Sequence, residues 1–211
     1  MPNDDPDVQE TVFIVDDDPS VCEGLCDLVE SSGLRAQSYS TAEEFLEASR
    51  DSMAGCLVLD VRLPQMSGLD LQAKLLESHM RIPVIIMTAY ADIATVRKAL
   101  KTGAVEFLVK PFQGAELLLA VEQAYALDRE RRQREGLVDS IKARLETLTE
   151  REREVLELVT AGVLNKQIAD KLCLSLVTVK MHRGQVMKKM GVKTVPDLVR
   201  MWGAFRGSLR W

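Results

Sequence analysis

The sequence predicts an α/β fold: a doubly wound, five-stranded parallel sheet followed by a smaller all-α domain. Three observations carry that prediction. Strand-length apolar runs alternate with helix-period segments over residues 1–128. No strand signal follows Leu148. The charge also changes sign along the chain. Residues 1–128 hold 9 Lys/Arg against 22 Asp/Glu, a net −13, and residues 129–211 hold 18 against 10, a net +8, behind an overall −5. An acidic front and a basic back predict two domains with different partners, nucleic acid being the natural partner for the second.

The strand candidates are Thr11–Val15, a half-polar Leu34–Tyr39, Cys56–Leu59, Val84–Met87 and Val105–Val109. Runs this short and this apolar suit strands buried on both faces. Asp18 precedes Pro19, a helix cap followed by proline at the first helical position. Val21, Leu25, Leu28 and Val29 then mark one helix face. Asp92 caps a helix carrying Ile93, Val96 and Leu100, which Gly103 ends. Leu117, Val121, Ala124 and Tyr125 mark the fifth helix. Arg129–Glu135 is charged on all sides and reads as an extension of that helix into solvent or as part of a helical linker over 129–142. Thr149-Glu150-Arg151-Glu152 has capping-box spacing and opens a helix bearing Val155, Leu158 and Val159. Further helical segments follow near 165–172, 176–190 and 195–205. The expected domains are therefore 9–128, a linker over 129–142, and 143–207.

Composition narrows the class. With 46% hydrophobic and 28% charged residues, the chain is neither collagen-like nor wholly disordered. No run approaches the ~18 apolar residues of a membrane span. Met1-Pro2-Asn3-Asp4-Asp5 lacks the basic and apolar regions of a signal peptide, so a cytoplasmic location with no membrane partner is expected. Cys22, Cys26, Cys56 and Cys173 form no CxxC pair, and His79 and His182 complete no zinc spacing. Cys22 and Cys26, four apart on a helix, leave a thiol switch open.

In a parallel sheet the carboxyl ends of all strands share one edge, where ligands bind. Asp16, Asp17 and Asp18 follow the first strand, Asp60 closes the third, Thr88 the fourth, and Lys110 follows the fifth. Asp18 fits a helix cap. The others converge into an acidic pocket. Crowded carboxylates repel, and Mg²⁺ relieves that while keeping room for water and phosphate oxygens. A carboxylate also accepts a phosphoryl group as a nucleophile, and a neighbouring lysine and hydroxyl then neutralise it. The set reads as Mg²⁺-assisted phosphorylation of Asp60.

Val12–Asp18, Leu57–Gly68, Met87-Thr88-Ala89 and Val109-Lys110-Pro111-Phe112 resemble the receiver domain of two-component response regulators, over about 9–128. The resemblance implies a flavodoxin-like sheet and a phosphoryl group taken by Asp60 from a sensor histidine kinase. It implies Mg²⁺ (or Mn²⁺) held by Asp16, Asp17, Asp60 and the backbone carbonyl of Arg62. Thr88 becomes the switch hydroxyl, Phe107 the switch aromatic and Lys110 the phosphate contact, with the Lys110-Pro111 bond cis. Many receivers carry Tyr where this chain has Phe107, so hydroxyl-based roles do not transfer.

In the basic half, Ile168, Ala169 and Leu172 make a short helical face, Cys173-Leu174-Ser175 a break, and Val179, Val186 and Met190 the buried stripe of a second helix. Lys180, Gly184 and Lys188 share its opposite face. This is a helix-turn-helix pattern. Residues 175–194 hold five Lys/Arg and no acid, which predicts uncompensated positive charge. Leu148–Leu156, Gly162–Ala169 and Leu174–Arg183 resemble the LuxR-type DNA-binding domain, over about 143–207. The whole chain thus resembles a NarL/FixJ-type response regulator, closest in pattern to FixJ. By that resemblance Lys180, Met181 and Gly184 face the major groove. Thr178, His182, Arg183 and Lys188 contact phosphates, and Asn165 and Lys166 complete the DNA-binding set. Gln167 replaces a common Glu, and Gly184 stands where a larger side chain is usual.

The expected function is a phosphorylation-activated, DNA-binding transcription regulator, not an enzyme beyond gaining and losing its own phosphate. Its expected partners are a histidine kinase, promoter DNA, a second copy of itself and RNA polymerase. Two rivals stay open: a Mg²⁺-dependent phosphatase or phosphotransferase, and a DNA-binding protein whose receiver only dimerises. The first usually needs a second acidic pair late in the fold, and none follows Lys110 before the basic half.

Overall fold

The computed structural model describes residues 9–49, 53–78, 80–90 and 92–208. Met1–Asp5 and His79 lie outside the described residues. Two compact units divide between Arg131 and Arg132.

The first unit alternates β1 (Thr11–Val15), α1 (Pro19–Ser31), β2 (Arg35–Tyr39), α2 (Ala42–Ala48), β3 (Gly55–Asp60), α3 (Gly68–Glu77), β4 (Val84–Thr88), α4 (Ile93–Lys101), β5 (Glu106–Val109) and α5 (Gly114–Glu146). The sheet runs β2-β1-β3-β4-β5, all parallel. Side chains alternate faces along each strand, and both faces are buried. Val12 and Ile14, Cys56 and Val58, Ile85 and Met87 pack with Val29, Leu117 and Val121 of α1 and α5. Phe13 and Val15, Leu57 and Leu59, Val84 and Ile86 pack on the other side with Phe45, Leu71 and Leu75 of α2 and α3. The edge strand β2 is the half-polar one, as its partly exposed residues require.

Caps fix where the helices begin. Asp18 accepts the Ser20 N–H at 2.9 Å, as expected of a residue preceding Pro19. Thr41 caps α2 and Ser67 caps α3. At Gly68 a Cβ would lie 2.1 Å from the Asp60 carbonyl oxygen, so only glycine lets α3 start against the end of β3.

The strand order reverses direction between β1 and β3, which opens a crevice at their carboxyl ends. Asp16 and Asp60 stand there. Residues 129–142 are not a separate element: α5 is continuous to Glu146, and Val138 and Ile141 already pack into the second core.

The second unit adds α6 (Glu150–Thr160), α7 (Asn165–Leu172), α8 (Leu176–Lys189) and α9 (Val195–Ser208). Thr149 and Glu152 form the predicted capping box. Val155, Leu156, Ile168, Val179, Val186, Met190 and Leu198 make its core.

Candidate functional site

Lys110 joins residues far apart in sequence. Its Nζ lies 2.5 Å from Asp16 Oδ2 and 2.9 Å from Asp60 Oδ1. Asp16 and Asp60 are buried, and Lys110 is half-buried. The remaining oxygens take backbone donors: Asp18 N–H to Asp16 Oδ1 at 3.0 Å, and Arg62 N–H to Asp60 Oδ2 at 2.5 Å. Burial pushes the Asp60 carboxyl above its ordinary value, against the lowering influence of Lys110 and the Arg62 amide. Burial also works against the Lys110 ammonium, but its hydrogen bonds to Asp16 and Asp60 outweigh this and hold its pKa high. The result is a poorly solvated carboxylate beside a fixed positive charge, at the mouth of a crevice. That suits a nucleophile toward phosphorus.

Of the three expected carboxylate ligands, two meet. Asp17 is exposed, and among the described residues no three His, Cys, Asp or Glu side chains gather as a metal group. Successive side chains at a strand end point opposite ways, so Asp16 turns in and Asp17 out. The donors still fit a hard cation. Two buried carboxylates close enough to share one ammonium are the hard oxygen donors that Mg²⁺ accepts.

Thr88 is buried, and its hydroxyl exchanges long contacts with the Tyr90 backbone: O–H to carbonyl at 3.4 Å and N–H to Oγ1 at 3.3 Å. Phe107 is half-buried against the second-face core. Tyr90 is exposed, and the Arg62 guanidinium stacks over its ring at 4.1 Å. The Lys110-Pro111 bond is cis. Cys22 is buried and donates its thiol to the Asp16 carbonyl at 3.3 Å. Burial raises the pKa of both Cys22 and Cys26, which works against a reactive thiolate.

Sequence reasoning missed Asp128. It is fully buried, accepts the Gly55 N–H at 3.0 Å and pairs with Arg131 at 2.6 Å. Its spacing from Val121, Ala124 and Tyr125 puts it on the buried face of α5, a signal available in the sequence.

In the second unit, Ser175 caps α8 through the Thr178 N–H, and the two hydroxyls bond at 2.8 Å. Asn165 accepts from Arg183 at 2.7 Å, tying α7 to α8. Lys166, Lys180, Met181, Gly184 and Lys188 are exposed, and His182 is half-buried. Gln167 reaches back to the Leu164 N–H at 3.2 Å, so the amide does the capping work of the absent Glu. The expectation that the 175–194 charge is uncompensated needs correcting. Lys189 pairs with buried Glu152 of α6 at 2.7 Å. The counter-charge comes from a different helix, which a scan along the segment does not reveal. Lys180 and Lys188 remain as exposed cations on the outward face.

Comparison with known proteins matches residues 12–122 to the response regulator receiver domain and residues 146–202 to the bacterial regulatory proteins of the luxR family. The chain is 44% identical to the response regulator protein TmoT of Ectopseudomonas mendocina, covering 97% of this chain and 93% of that one. It is 41% identical to the transcriptional regulatory protein FixJ of Rhizobium meliloti, over 90% and 94%. Among solved structures it is similar to the response regulator StyR, with TM-score 0.85 and 44% identity over 92% of this chain and 98% of that chain.

Proposed function

The chain belongs to the response regulators that join a receiver domain to a LuxR-type DNA-binding domain, and from that membership we propose a transcription regulator switched by phosphorylation of Asp60. The observation that carries the reading is the Lys110 ammonium, which holds Asp16 and Asp60 together at the crevice. The proposed division of labour is a receiver over 9–128, a charged helical segment over 129–142 and a DNA-binding domain over 143–207.

A sensor histidine kinase presents a phosphohistidine. An Asp60 carboxylate oxygen attacks phosphorus, the P–N bond breaks, and the imidazole leaves, taking up a proton. When bound, Mg²⁺ or Mn²⁺ neutralises charge on the phosphoryl oxygens. Asp16, Asp60 and the Arg62 carbonyl would hold it, with Asp17 at the exposed rim. Lys110 turns part of its hydrogen bonding to the phosphoryl group. Thr88 gives up its long contacts to Tyr90 and donates to a phosphoryl oxygen, and Phe107 follows it inward. The chain's own chemistry ends with gain and loss of this phosphate.

A hundredfold shift between inactive and active forms needs ~2.7 kcal/mol. One or two charge-assisted hydrogen bonds, at ~1.5–3 kcal/mol each, supply it. The surface that changes is the face of α4 and β5, where Ile93, Leu100 and Val109 are exposed. On α4 this surface is formed by Ile93, Val96, Arg97, Leu100 and Lys101. Receivers dimerise on this face and present two α8 helices to promoter half-sites about one DNA turn apart. RNA polymerase is the further partner, in the cytoplasm. Among the described residues no helix is long and apolar enough to cross a membrane.

The test is incubation with a small acyl phosphate donor and Mg²⁺. Wild type gains a hydroxylamine-labile phosphate and Asp60→Asn gains none. Equal labelling of both, or labelling of neither, overturns the reading.

A further inference from the structure

Helix α8 carries a surface that its positive charge does not explain. At ~100° per residue, Val177, Met181, Gly184 and Lys188 line up opposite the buried Val179, Val186 and Met190. Val177 is 77% exposed and Met181 55%, with Leu176 beside them at 46%. Gly184 adds no side chain, and a Cβ there would meet no described atom within 4 Å. The first turns of α8 therefore offer solvent an apolar patch, next to the exposed Lys180. A single exposed valine is ordinary. Two large apolar side chains at i and i+4, on the outward side of a helix-turn-helix second helix, form a surface to be covered.

The chemistry of the cover follows from its surroundings. Lys180 lies one helical turn from Val177, Lys188 is exposed further along the same helix, and residues 175–194 contain no acid. That favours a polyanion over an apolar protein face. The N-terminal part of such a helix is the part that meets base edges. In the major groove the apolar group presented to a protein is the thymine C5-methyl.

We propose that Val177 and Met181 read thymine methyl groups, which makes Val177 a specificity-determining residue of this chain. The proposal rests on the DNA-binding reading of α8. The rise from Val177 to Met181 is ~6 Å, close to two steps of ~3.4 Å along the duplex. The two side chains therefore fall on thymines about two steps apart. Gly184 leaves the backbone free to approach the bases between them and Lys188.

The test uses full-length protein treated with a phosphodonor and Mg²⁺. A pool of random-sequence duplexes is selected for binding, and one selected duplex is resynthesised with deoxyuridine replacing thymidine one position at a time. Uracil keeps every hydrogen bond and lacks only the methyl. Two positions per half-site are expected to lose about fourfold in affinity each, from the removal of one buried methyl. Replacements outside the half-sites control for duplex shape. Val177→Ala, on an exposed side chain, weakens the thymidine duplex and no longer distinguishes it from the uracil duplex at one of those positions. Equal affinity for thymidine and uracil duplexes overturns the proposal. So does a preference that survives unchanged in Val177→Ala and Met181→Ala, or a Val177→Ala protein with full affinity, which would assign the patch to a protein. If binding stays salt-dependent and Lys188-dependent in those cases, the DNA reading stands alone. If no duplex is selected, both readings fall.

Discussion

Replacing Lys110 with methionine tests the geometry of the acidic pocket. The substitution keeps the stem and deletes the ammonium. Asp16 and Asp60 then face each other, buried, each having lost its charge partner. Removing one partner of a buried ion pair costs about 3–5 kcal/mol. The Lys110 side chain is 23% exposed, so water softens the loss. The low end, ~3 kcal/mol at neutral pH without divalent cation, is the expected cost. For a unit between the small and large domain classes this lowers its unfolding midpoint by roughly 10 °C. Tyrosine and tryptophan report on different units. Tyr39, Tyr90 and Tyr125 all lie in the first, and Trp202 lies in the second. Tyrosine near-UV circular dichroism reports the first transition and tryptophan fluorescence the second. The tyrosine transition should fall and the tryptophan transition should not move. In an Asp60→Asn background the same substitution should cost less than half as much, because only one buried charge is orphaned. Added Mg²⁺ should recover more stability in Lys110→Met than in wild type. A tyrosine transition shifted by under ~1 kcal/mol, or a tryptophan transition shifted equally, refutes the reasoning.

Three further outcomes follow from the same geometry. Asp128→Ala strips partners from the buried Gly55 N–H and from Arg131 and should destabilise the first unit by roughly 2–4 kcal/mol in urea unfolding. A loss below ~0.5 kcal/mol would mean that water replaces the carboxylate. Gly184→Ala fills open space in mid-helix and should stabilise the second unit by ~1 kcal/mol, seen as a higher tryptophan-fluorescence midpoint; an unchanged or lower midpoint would contradict an unobstructed helical site. Burial opposes the charged form of Glu152, yet Lys189 and Thr149 outweigh it and hold its pKa below the ordinary range. Its stabilisation is therefore present above the unfolded value of ~4.3 and lost as pH falls through the lower folded value. Glu152→Gln should flatten the acid limb of the second unit's stability curve, and an identical limb in wild type and variant would rule this out.

Much of the first unit was legible because its chemistry is tied to a periodic topology. Once β1, β3, β4 and β5 are read as parallel, Asp16, Asp60, Thr88 and Lys110 must reach one edge, whatever their separation in sequence. The cap at Asp18, the capping box at Thr149 and Glu152, and the buried stripe of Val179, Val186 and Met190 were equally open to reading, since each is set within a turn or two of helix. Asp16 and Asp17 were not separable by that logic. Their identical chemistry hides the half-turn of backbone that buries one and exposes the other.

What the sequence determined by itself is therefore local periodicity and its consequences: two-faced strands, helix starts, the acidic edge and the basic helix. Only the tertiary structure decided which charges are spent. Lys189 is neutralised by Glu152, 37 residues earlier, and Lys110 is held by Asp16, 94 residues earlier. Asp128 reaches back 73 residues to the Gly55 amide. The physical reason is that a hydrogen bond or ion pair acts over about 3 Å of space. Chain periodicity specifies which face a side chain takes, but the partner waiting on that face comes from another element, positioned by the packing of the core.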